Sequence, residues 1–332
     1  MNADVFAAWM NRQGRHIIRT HSSYWSEVGP RVYQAFPFNW VIQPSEEELR
    51  NMMQKYGILT LRYSAPLTSR EGMISYHTIL NGPYTLEGLS SKARTAVRAG
   101  LKNFTIEPIT FERLADEGWR LQRATLERQG RLSSMSQAEW ERMCLGAKDL
   151  PGFEAWAALY RGELAATDVA ARVDDKYLLL YEQSDSQYLS RHVNNALVFT
   201  LCQNLLQREG VKEIFLGLHS LDAPSSVDAF KFQLGVKPRP VRQRVVFNPL
   251  AAPLVNATSH NLLRQLNRWV PGSNVFSKAE GMFRFYLEGK RPLLQQDWPS
   301  SLEDLKKYCV RTDDAGRVVV DTTLPQFSPY EP

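Results

Sequence analysis

Little in this chain serves a disulfide framework, a metal centre or a membrane span. Its three cysteines, Cys144, Cys202 and Cys309, are far apart and odd in number, which is reduced, cytoplasmic usage. Histidines and cysteines never cluster at ligand spacing, so no metal cofactor is expected. A Walker loop, a dinucleotide fingerprint and an EF-hand sequence are all missing. No uncharged apolar run approaches the ~18 residues that a membrane helix needs. The start, Met1-Asn2-Ala3-Asp4-Val5, lacks the basic region and apolar run of a signal peptide. The expectation is a soluble, cytoplasmic protein without a transmembrane segment, with peripheral membrane contact left open. There is no repeat at solenoid spacing and no low-complexity tract.

What is there belongs to an ordinary globular protein. At 332 residues two domains are the better expectation. The net charge of +5 and a pI near 9.0 favour anionic ligands. The bias is too small for a dedicated nucleic-acid protein.

In the first third, Ser45 followed by Glu48 is a capping box, opening a helix with Leu49, Met52, Met53 and Tyr56 that stops at Gly57. Residues 32–38, 58–63 and 74–80 have strand character; residues 1–30 are mixed. Residues 89–103 form a helix with an apolar stripe at Leu89, Ala93, Val97 and Leu101. Arg94, Arg98 and Lys102 line up beside that stripe, with no acid from Ser90 to Asn103. A strand at 104–109 closes this part. One long helix at 111–129 follows, then a second capping box at Ser136 and Glu139.

The stretch 153–249 is the most telling. It reads strand, strand, strand, helix, strand, helix, strand. The first of these helices, 193–209, is apolar almost all round and therefore buried. Beyond 250 the chain changes character, with helices at 260–269, 279–288 and 302–308 and a strand at 318–320.

Within that stretch, Phe215-Leu216-Gly217-Leu218-His219-Ser220-Leu221 is followed by Asp228-Ala229-Phe230-Lys231-Phe232-Gln233-Leu234-Gly235 and Pro240. This run resembles the C-terminal half of the GNAT-fold acyltransferases, in particular the Fem-like group that includes the peptidoglycan-bridge aminoacyltransferases. The basic helix around Leu89-Ser90-Ser91-Lys92-Ala93-Arg94 is similar to that group as well. The resemblance covers about 32–249. It implies an α/β (α+β) chain of tandem GNAT-like mixed β-sheets flanked by helices, the first unit degenerate and the second complete. The expected spans are 1–109, 110–249 and a C-terminal appendage at 250–332. Standard GNAT enzymes carry a glycine-rich pyrophosphate loop before the buried helix. Here that segment is Gln187-Tyr188-Leu189-Ser190-Arg191-His192-Val193-Asn194-Asn195, without glycine. The helix N-terminus can still face phosphate, with Arg191, His192, Asn194 and Asn195 as the cofactor-binding candidates. Some members of the Fem-like branch use an aminoacyl-tRNA donor instead of acetyl-coenzyme A.

Four residues are the catalytic candidates. Lys231, in an otherwise apolar helix, either places an ammonium at a cleft or lies on the surface with its stem along apolar neighbours. Asp168, among small residues, needs a partner if buried; it is either a base for an acceptor amine or a structural carboxylate. Tyr181 and Glu182 end the strand before the buried helix, where the resemblance implies that two strands splay. They point to opposite faces, so at most one enters the cleft. The substrate-binding candidates are His219, Ser220 and Asp222, in a loop after a strand, together with Arg94 and Arg98, which either grip a polyanion or form a solvated helix face.

The resulting expectation is an acyltransferase of GNAT type. It moves an acyl or aminoacyl group from a coenzyme A thioester or an aminoacyl-tRNA to an amine of a cell-envelope or polysaccharide precursor. Neither donor is a permanently bound cofactor. The alternative is a non-catalytic Fem-like module that binds an anionic envelope precursor or nucleic acid.

Overall fold

The computed structural model of the chain describes residues 2–130, 135–219, 225–270, 274–312 and 318–320. In chain order the first elements are α1 (Ala3–Arg12), β1 (Ile17–Arg19), β2 (Tyr24–Gly29), β3 (Val32–Phe36), α2 (Glu46–Tyr56), β4 (Thr60–Ala65), β5 (Met73–Asn81), α3 (Ser91–Asn103) and β6 (Thr105–Ile109). Next come α4 (Phe111–Glu117), α5 (Trp119–Arg128), α6 (Gln137–Ala147), β7 (Phe153–Tyr160), β8 (Glu163–Val173), β9 (Lys176–Ser184), α7 (Val193–Leu206), β10 (Glu213–Leu218), α8 (Ser225–Gln233) and β11 (Lys237–Phe247). The last are α9 (Ala257–Trp269), α10 (Asn274–Gly289), α11 (Glu303–Cys309), β12 (Val310–Thr312) and β13 (Val318–Val320). The order expected over 153–249 is present in full. No helix among the described residues is long and apolar enough to cross a membrane.

The chain divides into two compact units, neither continuous in sequence. Unit one gathers Met1–Arg15, Thr78–Gly217 and Pro224–Lys237; unit two gathers His16–His77, Leu218–Ala223 and Pro238–Pro332. These do not follow the contiguous spans 1–109, 110–249 and 250–332. The reason is strand partnership. β11 pairs antiparallel with β4, from Arg242 opposite Ala65 to Phe247 opposite Thr60, so the end of the GNAT-like stretch completes the sheet begun near the N-terminus.

In unit one the strand order is β5-β10-β9-β8-β7-β6. β9 and β10 run parallel, while β6 to β9 form an antiparallel meander. The alanines of β7 and β8 leave room for α7, whose Leu197, Leu201 and Cys202 pack with Ala158, Ala166 and Ala170. Leu121 of α5 covers the opposite face at Ala157, Leu159 and Leu164. α3 lies against α7, and its buried positions are Ala93, Val97 and Gly100. Leu101, expected in that stripe, is exposed instead. The true stripe follows the 3.6-residue period and not a strict step of four. At Gly100 a Cβ would lie 2.6 Å from the His192 carbonyl oxygen and 2.8 Å from the Ala196 Cβ. The residue that brings the two helices together is therefore the one with no side chain. The helix expected at 111–129 is two helices, parted at Gly118. α1, at the start of the stretch read as mixed, buries Phe6, Trp9 and Met10, and the Trp9 indole N–H donates to the Met143 carbonyl at 3.0 Å.

In unit two the order is β1-β2-β3-β4-β11-β5, with β3 and β4 parallel. Ser45 caps α2 by accepting from the Glu48 N–H, and Gly57 ends it in the left-handed conformation. Glu48 does not return the bond; it accepts from the Ser22 hydroxyl at 2.7 Å. Leu49 and Met53 of α2 pack on Trp25, Ile58 and Leu61. Phe285 of α10 packs on Met73 and Val245. α9 is tied to α10 by His260 and Glu280, 2.8 Å apart.

Candidate active site

The site forms where two parallel strands of unit one part. β9 and β10 are paired at Lys176–Glu213, Tyr177–Ile214 and Leu178–Phe215. Beyond that point β9 continues to Ser184 and β10 to Leu218 without pairing to each other. The register of β8 and β9 shifts at the same level. Val169 faces Tyr181 and Ala170 faces Leu179, which leaves Leu180 as an extra residue. Such a bulge bends its strand and reverses the alternation of side chains beyond it. Tyr177 and Leu179 pack toward α7. Because of the bulge, Glu182 joins that same face.

Glu182 stands directly opposite Asp168, and side chains of such cross-strand partners start about 5 Å apart. Asp168 is fully buried. Neither of its carboxylate oxygens has a hydrogen-bond partner among the described residues. Burial first, then the charge of Glu182, pushes the Asp168 carboxyl well above the usual range, against the pull of Lys231. Burial raises Glu182 too, against Lys231 and Arg128. Cys202, on the face of α7 that meets them, is held as a thiol by burial and by both carboxyls.

Lys231 completes the cluster from α8. Its Nζ lies 3.6 Å from an oxygen of Asp228, one turn back, and its side chain is 15% exposed. It runs over the backbone of β10 at Gly217, where a Cβ would sit 3.3 Å from Nζ. Gly217 has φ 130°, and its carbonyl accepts from the Thr78 hydroxyl at 3.0 Å. Gly217 and Thr78 were absent from the sequence-derived set. The signal for Gly217 was in the strand run Phe215-Leu216-Gly217-Leu218, since an isolated strand glycine marks a close approach.

Asp168, Glu182 and Lys231 are thus brought together, but Tyr181 is not. It points to the other face and meets Trp9 edge-on, ring centroids 6.3 Å apart. Burial raises its phenol and Arg15 opposes the rise. The alternation along the strand commits Glu182 to the cluster and so removes Tyr181 from it.

The segment before α7 performs the turn without glycine. His192 takes the left-handed conformation itself (φ 62°, ψ 36°) at the N-cap, with no side-chain capping bond, and histidine is among the side chains that tolerate this region. Arg191 is exposed and lies over the rings of Tyr160 and Tyr188, at 5.0 and 5.9 Å. Its hydrogen bond to Tyr160, with help from Arg161, lowers that phenol's pKa. Asn194 Oδ1, in the first turn of α7, is buried without a partner among the described residues. Asn195 is half-buried beside it. On α3, Arg94 donates to the Glu87 carbonyl at 3.5 Å, while Arg98 and Lys102 are exposed.

The loop candidates fall differently. Ser220 and Asp222 lie outside the described residues. His219, in unit two, is half-buried and stacked on Tyr76, centroids 4.6 Å apart and 18° between planes. Its Nδ1 is 3.3 Å from the Ser75 hydroxyl, so packing and hydrogen bonding already hold the ring. Unit two also holds a cavity of about 620 Å³ beside Arg244, walled by Tyr63, Phe247 and Tyr286. Arg244 pairs there with Glu46 at 2.6 Å and Glu71 at 2.9 Å. Its charge is therefore met from within the fold.

No family model matches the chain, and no curated protein matches it in sequence. Solved structures do match. FemX aligns with a TM-score of 0.51 at 11% identity, over 75% of this chain and 93% of FemX. The C-terminal (DUF2156) domain of a candidate lysylphosphatidylglycerol synthetase from Agrobacterium fabrum aligns at 0.49 and 13%, over 76% and 91%. L-PGS from Bacillus licheniformis aligns at 0.49 and 10%, over 76% and 93%. At such identity what is shared is the path of the chain. The parted parallel strands, the buried helix beside them and the FemX alignment agree on one conclusion: the chain has a GNAT-like mixed α/β fold, shared with FemX.

Proposed function

We propose that the chain is an acyltransferase that delivers an acyl or aminoacyl group to an amine. The observation that carries this reading is the end of β9–β10 pairing after Leu178 and Phe215, with Glu182, Asp168 and Lys231 gathered beside the gap. Strands that part leave backbone N–H groups free to polarise a donor carbonyl. An acceptor arriving as an ammonium must lose a proton before it attacks. Glu182 is half-buried and its carboxyl is raised by burial, which makes it a stronger base for that proton than an ordinary carboxylate. The amine then adds to the carbonyl carbon, and the oxyanion is held by the free N–H groups and by Lys231. Collapse forms the amide and releases the donor's thiol or ribose hydroxyl with a proton. Asp168, fully buried, shares the Lys231 charge and keeps the pair from ionising fully.

The donor is an anionic carrier, either a coenzyme A thioester or an aminoacyl-tRNA. Arg98 and Lys102 on α3 and Arg191 before α7 supply the cations that such a carrier needs, and binding should weaken steeply with salt. The acceptor is the amine of a cell-envelope or polysaccharide precursor. The test is direct: acyl-coenzyme A by calorimetry and aminoacyl-tRNA by filter binding, followed by product analysis with an amine panel. Binding and turnover of one donor support the reading. If neither donor binds, the reading fails.

A second reading, a binding module without chemistry, is favoured by one observation. Arg191 already stacks on Tyr160 and Tyr188, and no glycine cradle precedes α7. Donor binding without amide product would decide for it.

A further inference from the structure

The end of unit two carries a surface that neither the fold nor the proposed chemistry uses. Six large apolar side chains stand in solvent between positions 250 and 275: Leu250 at 90% exposure, Leu254, Leu262, Trp269 at 76%, Val270 and Val275 at 74%. Isolated exposed leucines need no explanation, but a concentration of this kind marks an interaction site. α9 shows how the surface is built. One side of the helix faces α10, where His260 meets Glu280. Leu262 and Trp269 are seven residues apart, so they lie on one flank, two turns from each other. Arg264 and Arg268 form a second, exposed flank. From Asn248 to Ala279 there is no acidic residue, while Arg264, Arg268 and Lys278 are all cationic. None of these three is ion-paired among the described residues.

Exposed leucine and tryptophan beside uncompensated arginine is the pattern of a helix that lies in the plane of a membrane interface. The apolar flank enters the boundary between headgroups and acyl chains, and the cations meet anionic lipid. We infer that α9 and the exposed apolar residues near its ends dock unit two onto an anionic lipid bilayer. A nucleic acid would match the cations and leave Leu250, Trp269 and Val275 in water. A second copy of this chain would oppose like charges at the same face. This inference stands apart from the acyltransferase reading, since it concerns binding and involves none of the residues assigned to chemistry.

The experiment is cosedimentation of the full chain with phosphatidylcholine vesicles and with phosphatidylcholine–phosphatidylglycerol vesicles, at low and high salt. Partition should be at least about tenfold stronger on the anionic vesicles and should fall with salt. L262Q/W269Q and R264Q/R268Q should each lower it by about tenfold while circular dichroism stays unchanged. Absence of cosedimentation overturns the inference, as does binding that neither double substitution weakens. So does self-association, or retention of tRNA, that depends on these residues while the vesicles are left unbound.

Discussion

A lysine whose charge acts on two carboxyls, one of them sealed from water, fixes what single residues should do. The Asp168 carboxyl is raised well above the usual range by burial and by Glu182. Between the ordinary carboxyl value of about 3.9 and that raised value, the folded chain keeps a proton that the unfolded chain has released. Stability is therefore full at acid pH and falls as pH rises through this window. Glu182 acts in the same direction. Asp168→Asn should remove its share of that slope, so the melting temperature of the variant should gain on the parent as pH rises above about 4. A parent that gains on the variant over that range would contradict the burial argument. Under the proposed chemistry, Lys231→Met should lower kcat by about 10²–10³-fold, the usual loss for one oxyanion donor, with far-UV circular dichroism unchanged. Asp168 and Lys231 were legible in the sequence because a charge among alanines or phenylalanines is conspicuous. The split between Tyr181 and Glu182 was half legible. Strand alternation shows that the two diverge, but only the bulge at Leu180 decides which of them reaches α7.

Helices and strands were easier to read than the spots where they touch. Caps at Ser45 and Ser136 gave helix starts to within a residue, because each side chain satisfies a backbone N–H that would otherwise lack a partner. The break at Gly118 was missed, since the apolar pattern of 111–129 runs through it without a change of phase. Short pieces such as β1 hold too few residues to show any period. On α3 the expected contact residue was Leu101, whereas the contact is made by Gly100. A pattern search looks for bulk, and here the absence of bulk is the feature. Gly100→Ala would drive a methyl to 2.6 Å from the His192 carbonyl oxygen. It should destabilise the chain by about 1–3 kcal/mol, read as a lowered denaturant midpoint. Leu101→Ala, on the exposed side, should change it by less than about 0.5 kcal/mol. Because His192 is the N-cap of α7, Gly100→Ala should also weaken donor binding more than Leu101→Ala does.

For the whole molecule the interleaving of the two units matters most. A fragment ending at residue 109 lacks β11, the antiparallel partner of β4. A fragment covering 110–249 lacks α3, which lies against α7, and α1, whose Trp9 bonds to Met143. Expressed alone, neither piece should give dispersed amide NMR spectra or a cooperative melt, although 110–249 contains every strand from β7 to β11. The GNAT-like order of 153–249 was plain from the sequence because its periods are local. The interleaving was not, because it depends on pairings such as Gln243 with Ser64. It also bears on how the protein is made. α1 is synthesised before the strands it packs on, so its aromatic residues Phe6 and Trp9 wait for Phe153 and Tyr181. At roughly 5–20 residues per second those rings stay unsheltered for on the order of ten seconds. α1 is accordingly an element on which a nascent-chain chaperone has something to hold.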